Sequence, residues 1–179
     1  MLTWIRRGLL ALLALAVLLA LVAWLLLRGS LPTHDGELAL PGLSAPVTIT
    51  RDADGRVDLV AANELDMARA LGFLHGQERF FEMDLTRRVA AGELAALFGE
   101  RALETDRRNR LHRLRARSQA AFEAIAGPRA AVVAAYTEGV NAGLGSLSVR
   151  PWPYLLLRQS PKPWTGVDTA LTGYAMFFD

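Results

Sequence analysis

ALGFLHGQERFFEMDLTRRVAAGELAALFG, residues 70–99, decides how the rest of the chain reads. Counting from just before it, Met67, Leu71, Leu74, Glu78, Phe81 and Leu85 recur at intervals of three and four. That is the period of one helix face, so a helix is predicted whose buried stripe is apolar except at Glu78. A carboxylate there needs a cation or water, and Arg87 and Arg88 are partners only through tertiary structure. Gly72 and Gly76 lie four apart and allow a second backbone to approach, against about 1 kcal/mol each in helix propensity relative to alanine. Gly92 interrupts the pattern, a short helical turn follows, and Gly99 suits a left-handed position at its end.

Upstream, VTITRDADGRVDLVA (47–61) alternates apolar and polar residues around Asp54-Gly55, which predicts a β-hairpin. Asn63 is placed to cap the following helix, with Asp66 at the capping-box position. Residues 29–46, rich in Gly, Pro and Ser, read as a linker. Before them, residues 8–27 are an unbroken apolar run that spans roughly 30 Å as a helix, the thickness of a bilayer's hydrocarbon. Arg6 and Arg7 in front of it favour a cytoplasmic N-terminus with the remainder exported. Its length, and an ending in Trp24-Leu-Leu-Leu-Arg28 rather than a small-x-small cleavage site, favour a retained signal anchor. A cleaved signal peptide is the alternative. The expected division is therefore residues 1–28 as anchor or signal peptide, 29–46 as linker and 47–179 as the folded domain.

Downstream, residues 106–126 read as one helix with Leu111, Leu114, Ser118, Phe122 and Ile125 on a face and arginines on the rest. A solvated basic face is the simplest reading, with an anionic membrane surface as the alternative; export argues against nucleic acid. Proline at 128 opens a further helix over residues 128–144. Residues 146–164 are irregular and proline-punctuated, and Trp152, Tyr154 and Trp164 read as a packed loop crossing. Thr165 and Asp168 form a capping box for a last helix that presents Leu171, Tyr174, Ala175 and Phe178 on one side. The fold class expected is mainly α with a short N-terminal β-hairpin.

Composition narrows the chemistry. The 179 residues contain no cysteine, which excludes disulfides, thiolate metal sites and a cysteine nucleophile in this stretch. The net charge is +2 with a pI of about 9.5, and Lys162 is the lone lysine among twenty basic residues. So arginine-rich a balance reflects coding bias as much as affinity for a polyanion. The six serines (30, 44, 118, 146, 148 and 160) include none in a G-x-S-x-G elbow. His75 reads as a hydrogen-bonded structural histidine rather than a general base. His75, Glu78 and Glu82 imitate half of a metal site, but no second cluster completes it, and Asp52, Asp54 and Asp58 lack the closing glutamate of a calcium loop.

Assembled in order, the same residues resemble a known family. Arg51-Asp52-x-x-Gly55 is followed by Ala62-Asn63-x-x-Asp66 and by Ala70-x-Gly72-x-x-His75-Gly76-Gln77-Glu78-Arg79-x-x-x-Met83-Asp84-Leu85-x-Arg87-Arg88. Ala91-Gly92-Glu93-Leu94-x-x-Leu97-Phe98-Gly99, Asp106-Arg107, Ala135-Tyr136-Thr-Glu-Gly139-Val-Asn141 and Pro161-Lys-Pro163-Trp164-Thr with Asp168 come next. This series resembles the N-terminal part of the penicillin acylase family from about Pro46 onward. One departure is Gly55-Arg-Val-Asp-Leu59, where the family commonly reads Gly-Val-Pro-His-Ile.

The resemblance implies an αββα N-terminal-nucleophile hydrolase when complete. Such a precursor cuts itself into a small and a large (β) chain, and the new N-terminal serine of the large chain attacks the amide. Its α-amino group serves as base, and the large chain supplies oxyanion donors. Implied substrates are small acyl amides, either β-lactam side chains or N-acyl-homoserine lactones. Within these residues the resemblance implies no catalytic group; it puts Met176, Phe177 and Phe178 against the acyl group. It implies no cofactor in this chain and allows calcium in the complete protein. The implied partners are the large chain and, through residues 8–27, the membrane. The domain is then anchored to the inner membrane facing the periplasm, or periplasmic if the N-terminal segment is removed. The competing expectation is an anchored, non-catalytic helical binding module.

Overall fold

The computed structural model describes residues 2–178, with side-chain surroundings for residues 3–176. Helix α1, Leu2–Gly29, touches the remainder at its C-terminal end, where Gly29 packs on Val149, and none of its apolar residues from Trp4 to Leu27 is buried. Ser30 closes it by donating its backbone N–H (3.1 Å) and its Oγ (2.8 Å) to Leu27 O. Residues 30–47 carry no helix or strand.

The hairpin forms as expected, with β1 (Thr48–Arg51) antiparallel to β2 (Val57–Val60) and Thr48 opposite Val60. Asp52 Oδ1 accepts from Asp54 N and Arg56 N at 2.9 and 2.8 Å, and Gly55 takes a φ of +80° that glycine adopts without penalty. The Asp52 carboxylate thus organises the turn.

Helix α2 (Glu64–Glu78) starts at Asn63, whose side chain accepts from Asp66 N at 2.9 Å. The return half of the capping box is absent. Asp66 accepts instead from the Asn63 side chain (Nδ2, 2.7 Å) and from Ser44 N (2.9 Å) and Oγ (2.6 Å), and so ties the irregular segment to the helix. Helix α3 (Phe80–Ala91) follows after a break at Arg79, where φ is −135° and ψ is 22°, and ends at Gly92 in the left-handed region. A short α4 (Ala95–Phe98) and a 3-10 turn lead to α5 (Leu103–Arg110), α6 (Leu114–Glu123), α7 (Pro128–Ser146), α8 (Trp152–Leu156) and α9 (Gly166–Phe178).

The dominant packing is α2 against α7, and it is backbone against backbone. A Cβ on Gly72 would lie 2.2 Å from Tyr136 O, and one on Gly76 2.0 Å from Val140 O. From the other side, a Cβ on Gly139 would lie 2.0 Å from Arg69 O, and one on Gly143 2.0 Å from Phe73 O. The contacts advance together along both helices, so the two run parallel. This corrects the expected buried stripe. The glycine face turns inward with Phe73, and Leu71 is left on the outside. Glu78, also outside, meets Arg51 of the hairpin rather than Arg87 or Arg88.

The helix expected over 106–126 is two helices. Asp106 accepts from Leu94 N and Ala95 N, both at 2.8 Å, Asn109 donates to Val89 O, and Arg110 donates to Gly92 O. These bonds hold α5 on the 89–95 corner, whereas α6 packs on α9. The chain changes direction between them, with Arg113 at φ +53° and Leu111 81% exposed. One core cluster gathers Phe80, Leu97, Val140, Tyr154 and Trp164; a second gathers Ala90, Ala91, Leu114 and Leu171. The segment between α7 and α9 is a packed crossing at Tyr154 and Trp164, but Trp152 faces outward.

Candidate functional site

The charged residues that looked redundant in the sequence come together between α3 and α9. Arg87 is buried and makes four hydrogen bonds: Nε to Asp84 Oδ1 (2.7 Å), Nη1 to Asp168 Oδ2 (2.8 Å) and Pro163 O (2.9 Å), and Nη2 to Lys162 O (2.8 Å). Its guanidinium lies between Trp164 and Phe80, 5.1 and 5.8 Å from the ring centres. Planarity and a fixed fork of donors suit arginine to such a role; a lysine there would satisfy fewer of these acceptors.

Asp84 is fully buried and divides its oxygens. Oδ1 takes Arg87, and Oδ2 accepts from Tyr154 Oη at 2.6 Å. Arg88 Nε approaches Oδ2 to 3.0 Å as an ion pair, without hydrogen-bond alignment. Burial, and then the hydrogen bond to Asp84, hold Tyr154 in its protonated form by raising its pKa. Thr165 and Asp168 form the reciprocal bonds expected at the start of α9: Asp168 N donates to Thr165 Oγ1 at 3.4 Å, and Thr165 N and Oγ1 donate to Asp168 Oδ2 at 2.9 and 2.8 Å. The other Asp168 oxygen faces Arg115, which in turn grips Glu93 with two bonds of 2.6 and 2.9 Å. The result is one chain of charges, Glu93–Arg115–Asp168–Arg87–Asp84, linking α3, α6 and α9.

This arrangement is chemically a positioning device. Its donors and acceptors face each other, and its output is the placement of α9. Met176 lies eight residues after Asp168, about 12 Å along the helix, and is 74% exposed. Phe177 and Phe178 lie outside the residues whose side chains are described. Asn141 adds a second clamp, bonding both Trp164 N (2.8 Å) and Trp164 O (2.9 Å).

His75 is structural. Its Nδ1 lies 2.9 Å from Tyr136 Oη, with the rings edge-on at 5.8 Å. Burial, reinforced by the charge of Arg79, lowers the His75 pKa, and burial pushes Tyr136 up to about 12. Both are therefore uncharged near neutrality. Ser44 has a carboxylate partner, Asp66, whose pKa is held down chiefly by the two Ser44 bonds. Among the described residues no group of three His, Asp or Glu side chains is gathered for a metal. A cleft of about 640 Å³ lies between residues 33–51 and α2, walled by Leu40, Ile49, Ala70, Phe73 and Leu74.

Asp84, Arg87 and Arg88 carried a local signal, the i, i+3 and i, i+4 spacing of opposite charges. Asp168 was visible only as a cap. Tyr154 and Arg115 had no local signal, because their partners lie 70 and 22 or more residues away.

Known proteins align with most of the domain. The family model described as penicillin amidase matches residues 46–179. A penicillin acylase 2 proenzyme from Pseudomonas sp. (strain SE83) is 43% identical over 141 residues, 77% of this chain and 18% of that protein. The acyl-homoserine lactone acylase QuiP of Pseudomonas aeruginosa is 31% identical over 143 residues, 79% of this chain and 17% of its own length. The chain thus spans less than a fifth of these relatives. Among solved structures, a thermostable penicillin G acylase from Alcaligenes faecalis superposes with a TM-score of 0.64 and 24% identity, over 73% of this chain and 71% of that one. That likeness establishes a shared fold.

Proposed function

The chain belongs to the penicillin amidase family over residues 46–179, and from that membership we propose that it is the N-terminal helical portion of an acylase that hydrolyses acyl amide bonds. The family match carries the reading, and it covers the same residues that build the Asp84–Arg87–Asp168 network.

In this reading the nucleophile is a serine outside these residues, freed as the N-terminus of a large chain when the precursor cuts itself. Its α-amino group, with an ordinary pKa of about 7.7–8.0, accepts the hydroxyl proton near neutral pH. The serine oxygen bonds to the acyl carbon, the C–N bond breaks, and the amine leaves with a proton. Water then hydrolyses the acyl ester. The present residues contribute position. Asp168, held by Arg87 and Arg115, fixes the start of α9, and Met176, Phe177 and Phe178 at its far end contact the acyl group. Residues 8–27 hold the domain at the inner membrane on the periplasmic side, or are removed to release it.

The test is hydrolysis by the complete purified protein, offered benzylpenicillin and a set of N-acyl-homoserine lactones, with release of free amine as the readout. Turnover of at least one of them is expected. Intact folded protein that releases amine from none would refute the acylase reading and favour a binding module.

A further inference from the structure

The exit of α1 is fastened to the domain at one place. Gly29 O accepts from Val149 N at 2.9 Å, and Gly29 packs directly against the Val149 side chain, which leaves no room there for a Cβ. Arg28 and Gly29 share a cleft with Ser146, Leu147 and Ser148, the end of α7 and the turn after it. Three residues beyond Val149 the chain enters α8. Three residues span at most about 10 Å, so Trp152 is held within that distance of Val149 and hence of the point where α1 leaves its apolar stretch.

Helix α8 is built with two unlike faces. Tyr154 is wholly buried, while Trp152 and Leu156, four residues apart and so on one side, are 48% and 74% exposed. Exposed Arg150 and Arg158 bracket them, and Lys162 follows; residues 147–164 contain three cations and no acidic residue. On the α1 side, Arg28 lies over the ring of Trp24, 5.8 Å from its centre. Tryptophan and arginine at the end of an apolar span mark the headgroup level of a bilayer, where an indole has both apolar and polar surroundings.

We propose that the Trp152–Leu156 face of α8 rests in the headgroup layer of the bilayer that α1 enters, with Arg150 and Arg158 on anionic lipid. This second contact sets the orientation of the domain on the membrane. It rests on the reading of α1 as a retained anchor. Apolar burial of one indole and one leucine side chain, with two arginines at a negative surface, is a modest affinity in isolation, but the anchor supplies it at high effective concentration.

The chain contains no cysteine, so single thiols can be placed and spin-labelled at will. The complete protein is reconstituted in phosphatidylethanolamine–phosphatidylglycerol vesicles carrying a label at Leu156→Cys, at Leu19→Cys within α1, or at Gln119→Cys on α6. Relaxation by oxygen and by a water-soluble nickel chelate is compared. The proposal expects position 19 deep in lipid and position 156 several-fold richer in oxygen than in nickel contact, with position 119 the reverse. Position 19 in lipid with position 156 exposed to nickel, or shielded from both reagents by other protein, overturns the α8 contact and leaves the anchor standing. Position 19 outside lipid overturns the anchor reading and the α8 contact with it.

Discussion

Replacing Gly76 by alanine perturbs the α2–α7 crossing at one of its tightest points. The new Cβ would sit 2.0 Å from Val140 O and 2.8 Å from Val140 C, so the helices must separate by more than about 1 Å to restore ordinary contact. A gap of that size forfeits about a third of each dispersion well of about 0.15 kcal/mol. Over about 40 atom pairs at the crossing this is about 2 kcal/mol. Residual overlap adds about 1–2 kcal/mol, and the better helix propensity of alanine returns about 1. The net expectation is about 2–3 kcal/mol of destabilisation. Gly145→Ala, on the partner helix α7 with nothing within 4 Å of the added carbon, should instead be neutral or stabilising by up to about 1 kcal/mol. Urea titration of both variants in otherwise identical protein reads the difference as opposite shifts of the midpoint. A Gly76→Ala midpoint equal to or above that of Gly145→Ala would refute the backbone-to-backbone packing.

Asp168→Asn takes the charge from a carboxylate that faces Arg87 and Arg115, leaving Arg87 less compensated in a buried place. A loss of about 3–5 kcal/mol is expected, seen as a lower melting temperature, with Thr165→Ala costing only about 1. The lowered pKa of His75 fixes the sign of its pH effect. Its contribution is complete above the unfolded value of about 6.5 and is lost as pH falls toward the folded value. Wild-type protein should therefore lose stability between pH 7.5 and 5 faster than His75→Gln, measured as the difference in melting temperature at each pH. Asp106→Ala removes the acceptor shared by Leu94 N and Ala95 N and should cost about 1–2 kcal/mol, with faster amide exchange in α4 than in α7.

The sequence disclosed what is local. Alternation around Asp54-Gly55 gave the hairpin, Asn63 and the Thr165–Asp168 pair gave two helix starts, and Gly72 and Gly76 announced a close backbone neighbour. The identity of that neighbour was not legible, because the matching Gly139 and Gly143 lie more than sixty residues on. Periodicity misassigned Leu71 for the same reason: a count of apolar residues gives glycine no weight, yet here the glycine face is the one that packs. The break at residues 111–113 escaped notice because its cause is Asp106, Asn109 and Arg110 bonding to a distant corner. Of the site, the ordered blocks disclosed the family, and the i, i+3 charges of α3 hinted at the network. Its other members, Tyr154 and Arg115, become neighbours only on folding.

The most direct measurement is mass spectrometry and N-terminal sequencing of the mature complete protein. Two chains are expected, a small one containing residues 46–179 and a large one beginning with serine. A single uncut polypeptide, or a second chain with any other first residue, would contradict the self-processing acylase.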